Sequence, residues 1–267
     1  MKMFDIERGD YMPAGYAHYI FGQKVLNALQ PPYQQIIKNN IDLYNIGVHG
    51  PDILFYYNAP VSNKVKQQGN TMHQKAAYDF FKTAQNIIKS KPDEASIAYL
   101  YGFITHFVLD HSCHPYIAVK QRELDLTHSE IESELDRRLL VNNHLDPLRT
   151  SLIDHIHPRH EISKTIAPFF QLDEKTIYKS LKDLRFYLNW IKAPGKIKRT
   201  FVLLCMKAGG IYDEYHGLLI SYEANQKCEK CIQELTQNLD RQVMSAKWLI
   251  ETFMEQPLDD IYHFNFE

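Results

Sequence analysis

The chain is poor in the residues that break helices and in those that cross-link small secreted folds. It has 11 glycines in 267 residues, and period-two alternation of β-branched residues is scarce, so no strand is expected anywhere. Its four cysteines, Cys113, Cys205, Cys228 and Cys231, are too few for a disulfide scaffold of this length, and a reducing compartment would keep them as thiols. No charge of one sign dominates: 30 Lys and Arg against 32 Asp and Glu give a formal charge of −2. Such a balance provides no overall footprint for nucleic acid, which is disfavoured as a partner, and leaves any membrane-surface contact to be local and transient. No apolar run is long enough to span a bilayer. The opening MKMFDIERGDYMPAG carries charges where a secretory signal needs an apolar stretch, which predicts a cytoplasmic protein.

What is present is an apolar pattern repeating at three and four residues. With 45% hydrophobic and 12% aromatic residues, it predicts an all-α, single-domain multi-helix bundle over 1–267. Helices are expected at about 14–29, 31–45, 71–90, 93–111, 128–142, 161–169, 173–192 and 223–254, with breaks at Pro51, Pro115, Pro158 and Pro194-Gly195. The segment IAYLYGFITHFVL (97–109) is apolar almost all round, which marks a helix enclosed by the bundle. It carries His106 and Asp110, four residues apart and therefore on one face, with side chains roughly 5–6 Å apart. A carboxylate enclosed there without a Lys or Arg nearby costs several kcal/mol unless it finds a partner. A divalent cation satisfies both the carboxylate and the histidine.

More ligand types flank that helix: Asp52 in the turn His49-Gly50-Pro51-Asp52, His73 and His114. His128 and Glu132 repeat the four-residue spacing on another helix. Imidazole with carboxylate suits zinc above other divalent ions. One such pair on a surface helix would ordinarily be a solvated His and acid, but a second pair beside a buried first one reverses that reading.

In YAHY (16–19), HGPD (49–52), TMH (71–73), HFVLD (106–110), CHPY (113–116) and HSEIE (128–132), the chain resembles the zinc-dependent phospholipases C. That fold group also includes single-strand-specific zinc nucleases. The resemblance covers about residues 12–136, implies a helical domain with a zinc cleft, and leaves 137–267 to supply the helices that complete the bundle. It implies two or three zinc ions. One would be held by Asp52, His73, His106 and Asp110, a second by His114, His128 and Glu132, and a third, bridged by Asp110, by His18. In secreted members the mature N-terminal amine completes the third site. Here residues 1–11 form an extension, so either Met12 is the true start, or Asp5, Glu7 or Asp10 fills in, or that site is weak. The four-residue step from Asp110 to His114 is shorter than the six usual in secreted members, so the helix ends near 111 or extends through it.

The implied chemistry is phosphodiester hydrolysis of a phospholipid or small phosphoester by a zinc-activated water, with Asp52 as both ligand and proton acceptor. Two other readings stand beside it: a zinc nuclease or nucleotidase, and a non-catalytic helical metal-binding domain. His49 and His111 are expected as hydrogen-bonded core histidines more than as catalytic groups, and Tyr16, Tyr19, Tyr56, Tyr57 and Tyr116 as packing around the cleft. Cys228 and Cys231 read as thiols on a buried helix face, His155-Ile-His157-Pro-Arg-His160 as a solvated helix end, and Lys192 to Arg199 as a loop of solvated lysines.

Overall fold

The computed structural model describes residues 15–59, 61–255, 258 and 260–266, and among these there are helices and no strands. In chain order the α-helices are α1 (Gly15–Ala28), α2 (Pro31–Asn39), α3 (Ile41–Gly47), α4 (Lys64–Gln74), α5 (Tyr78–Ser90), α6 (Glu94–Leu124) and α7 (His128–Asn142). After them come α8 (His160–Phe170), α9 (Glu174–Ile191), α10 (Lys196–Ala208), α11 (Tyr212–Tyr215) and α12 (Glu229–Thr252). A 3-10 turn at Gly50–Tyr56 carries the HGPD segment. The N-terminal extension, with Asp5, Glu7, Asp10 and Met12, lies outside the described residues. None of the described helices is long and apolar enough to cross a membrane.

Helix α6 is the axis of the bundle. Asp93 caps its start by accepting from Ser96 N at 3.0 Å, and Asp125 ends it in a left-handed conformation at φ 53°. Every residue from Ala98 to Asp110 is buried, as the all-round apolar pattern predicts. Pro115 was expected to end this helix and does not. The ring deletes one N–H from the ladder, but Cys113, His114 and Ile117 around it stay buried and Asn238 of α12 donates to Ser112 O at 3.0 Å, and α6 remains helical through to Leu124. That continuity sets His106, Asp110 and His114 on one face in three successive turns.

Two glycines bring α3 against α6. A Cβ on Gly47 would run into the carbonyl of Tyr99, and one on Gly102 into the carbonyl of Tyr44. The backbones therefore cross at a separation that no side chain would permit, and the chain leaving α3 enters the HGPD turn directly beside His106.

Three further boundaries differ from the sequence pattern. The expected 31–45 helix is split at Asn40 (φ −131°, ψ 38°). The expected 71–90 helix is two: Lys75 is extended, and the freed backbone groups are taken by the C-terminal segment, with Ala77 N donating to Phe264 O (3.0 Å) and Phe266 N to His73 O (3.2 Å). Residues 196–208, whose first half was expected to be a loop of lysines, form α10 instead. α12 starts at Glu229, with Cys228 and Cys231 buried on its inner side as expected.

Candidate metal centre

Each ligand-type residue is delivered by a local device. Gly50 has φ +48°, and a Cβ there would overlap the His106 ring, so the HGPD turn can lie on that ring only with glycine at this position. The turn then points Asp52, 2% exposed, at the ring's edge. Asn63 caps α4 by accepting from Val65 N and Lys66 N (3.0 and 3.1 Å). At the other end of α4, His73 Nδ1–H donates to Gly69 O at 2.9 Å, which leaves Nε2 free to face the carboxylates. A capping box starts α7: Thr127 Oγ1 accepts from Glu130 N (3.2 Å) and Glu130 Oε2 from Thr127 N (2.7 Å). It places His128 in the first turn and Glu132 one turn later.

The first cluster gathers His18 of α1, Asp52, and His106 and Asp110 of α6, with ligand atoms all within 4.8 Å of one another. His73 joins it from α4: its Nε2 is 3.0 Å from Asp52 Oδ1 and 3.8 Å from Asp110 Oδ2. His18 Nε2 is 3.1 Å from Asp110 Oδ1, and His106 Nε2 is 2.9 Å from Asp110 Oδ2. The second cluster holds His114, His128 and Glu132, with His128 Nε2 3.0 Å and His114 Nε2 3.7 Å from Glu132 Oε1. Asp110 Oδ1 stands 3.5 Å from His114 Nε2 and so connects the two. All eight residues named from the sequence thus lie in one continuous buried site.

The donor set fits cations. Asp52 Oδ2, His18 Nδ1, both ring nitrogens of His106 and Glu132 Oε2 are buried without a hydrogen-bond partner among the described residues. His106 Nε2 is close to Asp110 Oδ2 yet out of line for a hydrogen bond. Buried polar atoms left without partners are costly in a dry interior, and a borderline divalent ion among imidazoles and carboxylates removes that cost.

The electrostatics point the same way. Burial would raise the Asp110 carboxyl, but His106, His114 and His18 hold it well below the ordinary carboxylate range. Burial likewise opposes ionisation of Glu132, yet His128 and His114 bring it to about 2. Burial lowers His18 and His73, and the adjacent carboxylates outweigh it: Asp110 lifts His18, and Asp52 lifts His73, each to about 9. The two acids are therefore ionised at neutral pH, and in the metal-free chain His18 and His73 carry protons that a cation would displace.

Sequence reasoning missed three supports. Asp136, one turn beyond Glu132 on α7, accepts from Tyr16 N (3.2 Å) and Ala17 N (2.7 Å), and so seats the first turn of α1, which carries His18. Burial pushes this carboxyl up to about 7 against the pull of those two N–H groups. The four-residue ladder His128, Glu132, Asp136 was the signal that could have found it. Phe266 packs on the rings of His73 and His106 at centroid distances of 5.3 and 5.7 Å, and no motif announced it. His155 was expected to be solvated. It is instead stacked on Tyr19 (4.0 Å), with its Nε2 2.7 Å from His49 Nε2, because the 150–159 loop folds back onto α1. Burial lowers both rings, His155 to about 3, so they are neutral and share one proton. His157 of the same run is exposed and pairs with Asp42 (3.0 Å).

His49 is a core histidine as expected, whereas His111, also expected to be hydrogen-bonded, stacks on Phe107 and Phe264 at 5.8 and 5.3 Å with its Nδ1 buried and without a hydrogen-bond partner among the described residues. Tyr56 is fully buried, and Tyr116 donates to Glu234 (2.5 Å).

A family model described as zinc dependent phospholipase C matches residues 17–191, a span that contains all eight residues of the two clusters. No curated protein and no solved structure matches the chain.

Proposed function

Because the chain belongs to the zinc-dependent phospholipase C family, we propose that it is a phosphodiester hydrolase acting on a phospholipid or a closely related phosphoester. The observation that carries this reading is the pair of cation-ready clusters sharing Asp110. His18, Asp52, His73, His106 and Asp110 would hold zinc at the first, and His114, His128 and Glu132 at the second, giving two or three ions in all. Zinc bound there would supply a water of pKa near 7 and neutralise charge on the phosphoryl oxygens.

The chain's own part is positional and protonic. Asp52 divides its two oxygens: Oδ1 lies 3.0 Å from His73 Nε2, while Oδ2 has no hydrogen-bond partner among the described residues and is the atom to receive a proton from the attacking water. Gly69 O accepts from His73 Nδ1–H and so fixes the tautomer whose Nε2 lone pair would hold zinc. Asp110 sets the separation of the two clusters by facing His18 and His114 with one oxygen and His106 with the other. Phe55 and Phe266 stack on His73 and keep its surroundings dry, which strengthens every charge interaction inside. The test is elemental analysis of the purified protein together with hydrolysis of phosphatidylcholine and of a soluble phosphocholine ester. Zinc at two or more per chain with zinc-dependent release of phosphorylated head group is expected. Tightly held zinc without hydrolysis of any phosphodiester would favour a structural metal domain.

A further inference from the structure

Residues 184–212, which begin inside the family-matched stretch and run past its end at 191, contain no Asp or Glu and six cations, Arg185, Lys192, Lys196, Lys198, Arg199 and Lys207, in a chain whose formal charge is −2. None of the six pairs with a carboxylate among the described residues. Lys198 caps α9 through Lys192 O (2.7 Å), and Arg199 ties α10 to Ile220 O (2.7 Å).

Helix α10 is amphipathic in an unusual sense: both faces are apolar. Val202 and Met206 are buried, whereas Ile197, Phe201 and Leu204, at the i, i+4, i+7 spacing of one stripe, are 90%, 60% and 58% exposed. Phe186 of the neighbouring α9 adds a fourth large apolar side chain at 62% exposure. Between α9 and α10 opens a cavity of about 260 Å³ lined by Tyr187, Trp190, Met206, Tyr215 and Leu218 among others. Tyr215 and Leu218 lead inward, because Gly217 between them packs on Ser129, the neighbour of His128, and its carbonyl accepts from Ser133 (2.5 Å).

We propose that the α9–α10 face docks the protein on an anionic phospholipid bilayer. Ile197, Phe201, Leu204 and Phe186 would enter the head-group boundary, and Lys192, Lys196 and Lys207 would lie against lipid phosphates. A stripe of large exposed apolar side chains flanked by lysines that pair with no carboxylate among the described residues, Lys207 lying over the Tyr212 ring at 4.8 Å, is the charge and polarity complement of such a surface. A protein partner or a second copy would need the apolar stripe but not the lysine-flanked border. The proposal builds on the phospholipid reading of the metal centre.

The experiment is vesicle sedimentation with the full chain stripped of metal by chelator, so that catalysis does not enter. The vesicles are phosphatidylcholine alone and phosphatidylcholine mixed with phosphatidylglycerol. The unmodified protein is expected to bind the mixed vesicles, with binding weakened by added salt. Ile197→Asp with Phe201→Asp should lower partitioning by roughly tenfold or more, and Lys196→Glu with Lys207→Glu by a similar factor. All four positions are exposed, and an unchanged circular dichroism melt would certify folding. Absence of binding to mixed vesicles, or equal binding by the aspartate variant, overturns the proposal. So does a dimer in light scattering that dissociates in the aspartate variant, which would make the stripe a self-association surface. Hydrolysis of the soluble phosphocholine ester, measured on zinc-loaded samples of the same proteins, should be unchanged by the α10 substitutions. Its absence in every sample would count against the catalytic reading and leave the docking result standing.

Discussion

The two clusters use the same residue types but are built differently. His114, His128 and Glu132 come from two helices, and the His128–Glu132 pair is spaced by a single turn of α7. His18, Asp52, His73, His106 and Asp110 come from α1, a 3-10 turn, α4 and α6. The first cluster is therefore a product of the fold's long-range packing, and the second is nearly a property of local helix geometry. A site gathered from four elements depends on each support that seats them, while a site on two helices tolerates more. Asp110 belongs to both and is the place where they can be broken together.

Asp110→Asn should have the largest effect. It removes the charge that faces His18, His106 and His114, so zinc content should fall at both clusters and phosphodiesterase activity by about a hundredfold or more. His157→Ala, on the exposed ring paired with Asp42, should leave both within about twofold. Elemental analysis and initial rates on the two purified variants decide the contrast, and equal losses would remove the basis for the ligand assignment.

The pH dependence of stability separates the metal-free from the loaded protein. His18 and His73 are raised to about 9 in the metal-free fold against about 6.5 when unfolded. Their folded state holds extra protons, so their contribution is complete below about pH 6.5 and is lost as pH rises through 9, on the order of several kcal/mol for the pair. Urea unfolding of chelated protein should show this decline. Zinc-loaded protein should not, because the cation replaces those protons.

Glu132→Gln tests the independence of the second cluster. Native mass spectrometry should show the loss of one ion, with the first cluster still occupied and activity lowered by about tenfold. Loss of every ion would mean that the clusters are coupled beyond Asp110.

The most graded effect is expected at Asp136, which contacts no ligand atom in either cluster. Asp136→Ala strips Tyr16 N and Ala17 N of their acceptor and should cost about 1–3 kcal/mol. It should also weaken the ion near His18 selectively. Asp136→Asn keeps one carbonyl acceptor and should recover most of the loss. A thermal melt with a zinc titration distinguishes the two.

The amino-acid sequence by itself determined that the described residues form helices and no strands, that α6 is enclosed, and that His106–Asp110 and His128–Glu132 each share one helix face. Each of these is a matter of local periodicity and of what a buried charge requires. Tertiary structure alone decided the rest. Pro115 is tolerated inside α6, where Cys113, His114 and Ile117 around it stay buried and Asn238 of α12 donates to Ser112 O. The break at Lys75 exists because Phe264 and Phe266, some 190 positions away, take up its backbone groups. Asp136, His155 and Phe266 reach the centre only through contacts between residues distant in the chain. The lysine run 192–199 changes meaning for the same reason. Its residues are polar in sequence, but the fold winds 196–199 into a helix and turns Ile197, Phe201 and Leu204 outward. Periodicity can mark which residues share a face, and only the packed bundle fixes which face meets the core and which meets solvent.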